Sequence, residues 1–561
     1  MLRLLLWNLA FGVLPFGTVS AASGAGTAPT TTGQRFEGVV FGDANGNGLR
    51  DAGEAPLAGI AVSNGRHVVL TDEDGRYGLP HSAGAFVSVT CPDDGRCDLP
   101  WRSDSGDFAV VPEPEPDDFF FVQISDLHGY RTPEDLRELP SPEDIPWWMP
   151  RYAAGWYVLR SLTRMYRQYE RDEIVEALRS AAAPHRDLSR AWGPTVVIEY
   201  FDAAMDSKTG MIDPAGDMRR ALDEVEALRP SFVVNTGDFI LDGNEVRPEV
   251  AAAWFRQYAE LIASLGFPIY TTIGNNELVA TDHRDDLEAS DPRYGKGLFR
   301  SLRGPTHFSF DRGRLHFVAL DTHRLEKEQA GADLWEYGRM EPAVREWLEA
   351  DLLATDRAAA VVLNHEPFHE SPGWDLIGGP ISDDEGLFDA HRVPYALSGH
   401  IHKNGFEDGE YTSHITTGSI SGFRWALPAT LDERGYRLFY AKGERLYSAF
   451  KRLGEPVLGF VDPPGEGANH PASKAPMDPS ALSGVVEVVI VAADASGPFA
   501  DIGLSLNGEP LVLERWGDYF GRARFDADAL PEGRGSLVLS VRDAAGAERR
   551  SALAVARSSG D

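Results

Sequence analysis

Cysteine is nearly absent: the 561 residues include two, Cys91 and Cys97, which bracket Pro-Asp-Asp-Gly-Arg. So sparse a supply excludes a disulfide-rich scaffold, and two thiolates alone make a poor zinc site. In an exported chain the pair is expected to close one small disulfide loop. Long apolar runs are missing too. Only Leu4 to Phe16 comes near one, and it is shorter than the ~20 residues a membrane span needs. Positive charge is scarce: 53 Lys and Arg face 86 Asp and Glu, a formal net charge of −33 at pH 7. That balance argues against long-range attraction to nucleic acid or to an anionic membrane. An anionic substrate must be drawn in locally, by metal ions or a few arginines.

What is present is organised in blocks. Arg3, the apolar run and the small-x-small pattern of Val19-Ser20-Ala21 read as an export signal over residues 1–21, with an uncleaved anchor as the alternative. The mature protein is therefore expected in the periplasm or outside the cell. Residues 22–34, rich in Ala, Gly, Ser and Thr, form a tether. Over 35–111, short apolar runs alternate with Gly/Asp/Asn turns, the pattern of a small β-sandwich. The proline-rich stretch 112–117 is a stiff linker. From 118 to 425 strands alternate with helices, which implies a layered α/β domain. Strands are expected at Phe119 to Val122, Phe232 to Val234, Ile269 to Ile273, His316 to Leu320, Ala359 to Leu363 and Val393 to Leu397. A helix is expected from Asp217 as N-cap to Pro230, and another over Val250 to Leu265. Residues 426–561 return to short strands, with an Asn507-Gly508 hairpin turn, and read as a C-terminal β domain.

Five polar clusters each follow an apolar strand: Ser125-Asp126-Leu127-His128, Gly237-Asp238, Gly274-Asn275-Asn276-Glu277, Asn364-His365-Glu366 and Gly399-His400-Ile401-His402. Ligands of layered α/β sheets bind beyond the carboxyl ends of the strands, so the five are expected to meet at one edge. Two metals about 3.5–4 Å apart call for a bridging carboxylate, with imidazole and amide ligands around it. Residues two apart on a strand share a face, so Asp126 with His128, and His400 with His402, are expected to present paired ligands from strand ends.

This ordered set resembles the calcineurin-like metallophosphoesterase superfamily, whose pattern is Asp-x-His, Gly-Asp, Gly-Asn-His-Glu/Asp, a later His, and Gly-His-x-His. The resemblance implies a four-layer β-sandwich flanked by helices, here carrying N- and C-terminal all-β modules as in a bacterial multi-domain subfamily. It implies that Asp126, His128 and His402 hold one metal, that Asn275, His365 and His400 hold another, and that Asp238 bridges them. Mn, Fe and Zn all suit such mixed ligation. The implied reaction is hydrolysis of a phosphate mono- or diester by in-line attack of a hydroxide shared by the metals.

One position departs from the pattern. Asn276 stands where the family has the histidine thought to protonate the leaving group, and an amide cannot deliver a proton at neutral pH. Asn276 and the nearby His283 are the candidate catalytic side chains. The rival reading is a catalytically weak surface-binding protein that keeps the metal centre as structure or as a phosphate receptor.

Two further motifs stand apart. Asp43, Asn45, Asn47, Leu49 (through its carbonyl), Asp51 and Glu54 fall at the ligand positions of a calcium loop, with Gly48 at the sharp turn. The loop resembles those between strands in β-sandwich repeats of bacterial surface proteins. Residues 140–210 exceed one crossover helix and interleave Trp147, Trp148, Trp156 and Tyr157 with Arg151, Arg160 and Arg164. They read as a helical insertion packing its aromatics on the main domain. The functional alternative is a cap that recognises a small-molecule or lipid-like phosphate ester.

Overall fold

The computed structural model describes residues 35–129, 214–240, 248–281, 287–327, 333–368, 385–420, 434–461 and 479–558, except 83, 114–116, 289, 410 and 495, and also residue 243. The export signal, the tether, the insertion 140–210 and His283 lie outside these residues.

The centre is two sheets face to face. The first has the order Ile269–Thr271, Phe232–Asn235, Asp118–Ile124, Gly435–Lys442, Arg445–Arg452. Its first three strands are parallel and the last two antiparallel. The second runs Phe308–Arg312, Leu315–Ala319, Ala359–Leu363, Tyr395–Ser398, Ser413–Thr416, Gly405–Asp408, with four parallel strands between two antiparallel edges.

Alternation along each strand builds the layers. In Asp118–Ile124, Phe119 and Phe121 turn into the seam between the sheets, while Val122 and Ile124 face the helices Pro214–Leu228 and Pro248–Ala263. Burial on both faces is why these strands read as unbroken apolar runs. On the far side, Val318, Val362 and Ala396 pack against Trp347 and Leu348 of helix Pro342–Ala354 and Phe388 of helix Glu385–Ala390. The result is helix, sheet, sheet, helix: the four-layer sandwich the sequence implied.

Two paired four-stranded sheets form the N-terminal module, and another two follow the central domain. Cys91 and Cys97 are bonded in a disulfide. That loop is seated on the central domain: the Asp311 N–H donates to Cys91 O at 2.8 Å, and Arg357 pairs with Asp93 at 3.1 Å. Beneath the contact, His316 lies between two carboxylates, its Nδ1 2.7 Å from Asp311 and its Nε2 2.9 Å from Asp351. Burial lowers the His316 pKa, but Asp351 and Asp311 outweigh it and raise it to about 10.

Three expectations are corrected. The C-terminal domain does not begin at residue 426, because Gly435–Lys442 and Arg445–Arg452 complete the first central sheet beside Asp118–Ile124. A strand's partner depends on distant chain, which local pattern does not report. The first described helix begins at Pro214, so Asp217 lies in its first turn instead of capping it; a proline at the first helical position is a start signal in its own right. The strands Ile269–Thr271 and Tyr395–Ser398 are also shorter than, or shifted from, their expected spans.

Phe121 stacks on Phe232 at 5.0 Å and on Phe439 at 4.8 Å between ring centroids, and meets Phe317 edge-on at 5.5 Å. Phe121→Ala should cost about 3–5 kcal/mol in denaturant unfolding. The His316 ion cluster carries a pH signature. A folded pKa above the unfolded one stabilises fully below pH ~6.5 and is lost as pH rises through about 10. The stability gap between wild type and His316→Gln should therefore shrink across that window in pH-dependent thermal unfolding; a constant gap would refute the cluster's charge.

Candidate metal centre

The chain leaves the strand Asp118–Ile124 just before Asp126 and His128, and leaves Tyr395–Ser398 just before His400 and His402. None of these four is on a strand, which corrects the expectation of paired ligands sharing a strand face. Each takes a left-handed backbone: φ is 52° at Asp126, 44° at His128, 64° at His400, 54° at His402 and also 53° at Asp238. This region is uncommon for residues with a Cβ and marks sites where surrounding contacts over-determine the backbone. Those contacts are present. The N–H of Asp126 donates to Gly237 O at 3.1 Å, that of His128 to Asp238 O at 3.0 Å, and that of Gly399 to His365 O at 3.0 Å.

Two clusters of ligand atoms result. Asp126, His128 and His402 form one and Asp238, His365 and His400 the other, the ligand atoms in each lying within 4.8 Å of one another. In the first, His128 Nε2 is 3.0 Å from His402 Nε2, which is 3.1 Å from Asp126 Oδ1. In the second, His365 Nε2 is 3.2 Å from Asp238 Oδ2, 3.1 Å from His400 Nδ1 and 3.1 Å from Asn275 Oδ1. Asp238 Oδ2 also lies 4.0 Å from His128 Nε2, so one carboxylate faces both clusters.

Around them, outer partners hold each ligand. Ser125 Oγ and the His400 N–H donate to Asp126 Oδ2 at 2.6 and 3.0 Å. His365 Nδ1 is 2.6 Å from Thr236 O, which leaves Nε2 to face inward. Glu277 is fully buried and takes the N–H groups of Gly274, Asp238 and Ile240 at 2.7, 2.9 and 3.2 Å, pinning two ligand loops together. The sequence reading assigned Glu277, Thr236 and Ser125 no role. The glutamate of the Gly-Asn-x-Glu cluster was the available signal.

The electrostatics suit cations. Burial raises the Asp126 carboxyl, but His402 and His128 hold it well below the usual range. Burial also raises Asp238, and His365 with His128 outweighs it. His400 is pushed down to about 4 by burial and by His365, so it stays a neutral imidazole. Fully buried Asp126 Oδ1 accepts no hydrogen bond. Pairs of imidazole nitrogens facing each other at 3.0 and 3.1 Å beside such an oxygen are aimed at common points between them. This mixed N/O set fits two transition-metal ions.

Asn276 is buried against His128 and Asn275, at 3.0 Å from each. In the calcium-type loop, Asp43 accepts the N–H groups of Gly46 and Gly48 at 2.7 Å each, Asp51 accepts the side-chain amides of Asn45 and Asn47 at 2.7 and 2.8 Å, and Glu54 accepts the Ala44 N–H at 3.0 Å.

The four-layer sandwich carries two clusters of metal-ligand side chains beyond its strand ends. The sequence profile described as calcineurin-like phosphoesterase matches residues 119–404, half the chain, and that described as the N terminal of calcineurin-like phosphoesterase matches 44–104. The chain belongs to the calcineurin-like phosphoesterase family. Among solved structures it is similar to a purple acid phosphatase from yellow lupin seeds, with 11% identity and a TM-score of 0.32 over 70% of this chain and 66% of that one. It thus spans just under two thirds of the lupin protein. It is also similar to GAP50, the anchor in the inner membrane complex of Plasmodium, with 12% identity and a TM-score of 0.28 over 59% of this chain and 84% of that one. Comparison with curated protein sequences gives no match.

A methyl group at Gly399 would lie 1.8 Å from Ser125 Oγ and 2.5 Å from Asp126 Oδ2, whereas one at Gly386 would meet nothing within 4 Å. Gly399→Ala should lower metal affinity by about 10-fold or more by displacing Asp126 and its outer partners. Gly386→Ala should leave affinity unchanged, both read by metal content after dialysis.

Proposed function

We propose that the protein is an exported phosphoesterase with a dinuclear centre of Mn, Fe or Zn that cleaves phosphate mono- or diesters of small or lipid-like alcohols. The observation carrying this reading is the single buried Asp238 carboxylate facing both ligand clusters. Support for export comes from the signal pattern over residues 1–21 and from the disulfide, a bond that persists in oxidising compartments. Among the described residues no helix is long and apolar enough to cross a membrane. Support for a lipid-like or aromatic ester comes from the tryptophans and arginines interleaved between Ile145 and Arg171.

A pair of bound cations supplies Lewis acidity, activating water and neutralising the phosphoryl oxygens. The chain's own residues place those cations and hold their charge. Asp238 would offset the repulsion between them, with Asn275, His365 and His400 holding one and Asp126, His128 and His402 the other. Ser125, Thr236 and Glu277 fix these groups beforehand, so no reorganisation is needed as substrate arrives. With an amide at position 276, no proton reaches the leaving group from that place, so it departs as an anion unless another group such as His283 supplies the proton.

Chelator-stripped protein should lose hydrolysis of p-nitrophenyl phosphate and its bis ester and regain it with one of the three metals. Lack of turnover after reloading with each metal would sink the proposal. Esters of poor leaving groups should turn over slower than p-nitrophenyl esters by about 10²-fold or more, the contribution of a missing general acid.

A further inference from the structure

The turn that carries Asp238 is gripped from a second side, by a helix residue outside the ligand set. We propose that Tyr258 is a positioning residue that fixes the Gly237-Asp238 turn, and with it a carboxylate that faces both ligand clusters. This inference rests on the metal-centre reading above. Tyr258 lies on the helix Pro248–Ala263 and is fully buried, as is Asn235 at the end of the strand Phe232–Asn235. The Asn235 side chain joins the helix to the turn. Its Oδ1 accepts the Gly237 N–H at 3.2 Å, and its Nδ2 donates to the Tyr258 hydroxyl at 2.7 Å.

The chemistry of the amide makes the two contacts interdependent. A backbone N–H can only donate, so the amide end that meets Gly237 is the oxygen and the opposite end is the NH2 group. Closed off from water, that NH2 group needs an acceptor, which the Tyr258 oxygen supplies. Without it the amide gains by turning away, and the Gly237 N–H loses its partner. The tyrosine is itself held. Its hydroxyl lies 3.2 Å from Thr271 Oγ1, to which buried Arg303 donates through Nη2 at 3.2 Å, and the Arg303 guanidinium lies 5.6 Å from the centre of its ring. Phe239, the residue after Asp238, stacks on the same ring at 4.1 Å between centroids. Tyr258 therefore acts on the turn both before and after Asp238. Gly237 and Asp238 have φ of 96° and 53°, and at Asp238 such a conformation persists only where neighbours impose it. Glu277 takes the N–H groups of Asp238 and Ile240, whereas that of Gly237 goes to Asn235.

A bridging carboxylate offsets the repulsion between two cations, so its displacement should weaken uptake of the second ion above all. Mn2+ is the probe, because two Mn2+ ions sharing a carboxylate give an exchange-coupled electron paramagnetic resonance spectrum that separate ions do not. Tyr258→Phe removes one hydroxyl and keeps the ring. Its control is Tyr519→Phe, which removes another buried hydroxyl, bonded to Leu228 O at 2.9 Å beyond the amino end of the strand Phe232–Asn235, opposite the ligands. In the full-length protein Tyr258→Phe should weaken binding of the second Mn2+ by about 10-fold or more, the usual cost of losing an outer-shell partner, and should lose the coupled spectrum at concentrations where wild type shows it. Tyr519→Phe should keep both, although apo-protein thermal unfolding should show a lower midpoint in each variant. Wild-type affinity and spectrum in Tyr258→Phe overturn the proposal, and so does an equal loss in Tyr519→Phe, the mark of general loosening. Should Tyr258→Phe not fold, Asn235→Ala takes its place with the same expected loss, and unchanged binding there overturns the proposal. Wild-type protein that takes up no metal would instead sink the functional reading, which is a distinguishable failure.

Discussion

The centre depends on the register at which two sheets are pressed together. Asp126, Asp238 and Asn275 leave one sheet, and His365, His400 and His402 leave the other. A slip of one strand residue, about 3.3 Å, is far beyond the ~0.2 Å tolerance of coordination distances. The aromatic seam resists that slip: Phe232 meets Phe310 and Phe317 edge-on at 5.7 and 5.3 Å across the interface. At the end of the seam nearest the metals, Gln123 clasps both sheets. Its Nε2 donates to Thr236 Oγ1 and Ser398 O at 3.1 and 3.0 Å, while Thr417 Oγ1 donates to its Oε1 at 2.6 Å.

Above this clasp the structure changes from apolar packing to concentrated polarity. Left-handed backbone at a residue with a Cβ costs on the order of 1–3 kcal/mol, and five candidate ligands adopt it. Backbone hydrogen bonds between neighbouring ligand loops hold that strain in place, with Glu277 gathering three N–H groups from two loops. The left-handed turns reverse the chain so sharply that Asp126 and His128, or His400 and His402, point inward together without strand geometry. A cluster of buried carboxylates and imidazoles of this kind is costly without cations and well satisfied with them.

The flanking modules are fastened to the same frame. The disulfide loop sits on the second sheet through Cys91 O and Asp93, above the His316 ion cluster. The first central sheet is completed by Gly435–Lys442 and Arg445–Arg452, strands that come after the last candidate ligand in sequence. The central domain is thus closed from both ends of the chain.

Several features were legible in the amino-acid order alone. Apolar runs such as Phe119 to Val122 announce strands buried on both faces, and Asn507-Gly508 announces a two-residue turn, because burial and left-handed turns leave local signatures. The chemical types of the ligand groups, and their placement after apolar runs, were equally plain. Only the tertiary structure decided where the strands stop, that paired ligands converge through left-handed turns, that 435–452 belongs to the central sheet, and that Asn276 lies against His128. These depend on contacts between residues far apart in the chain: Asn276 and His128 are 148 positions apart. A local pattern records what each residue needs; which distant neighbour meets that need is settled by packing.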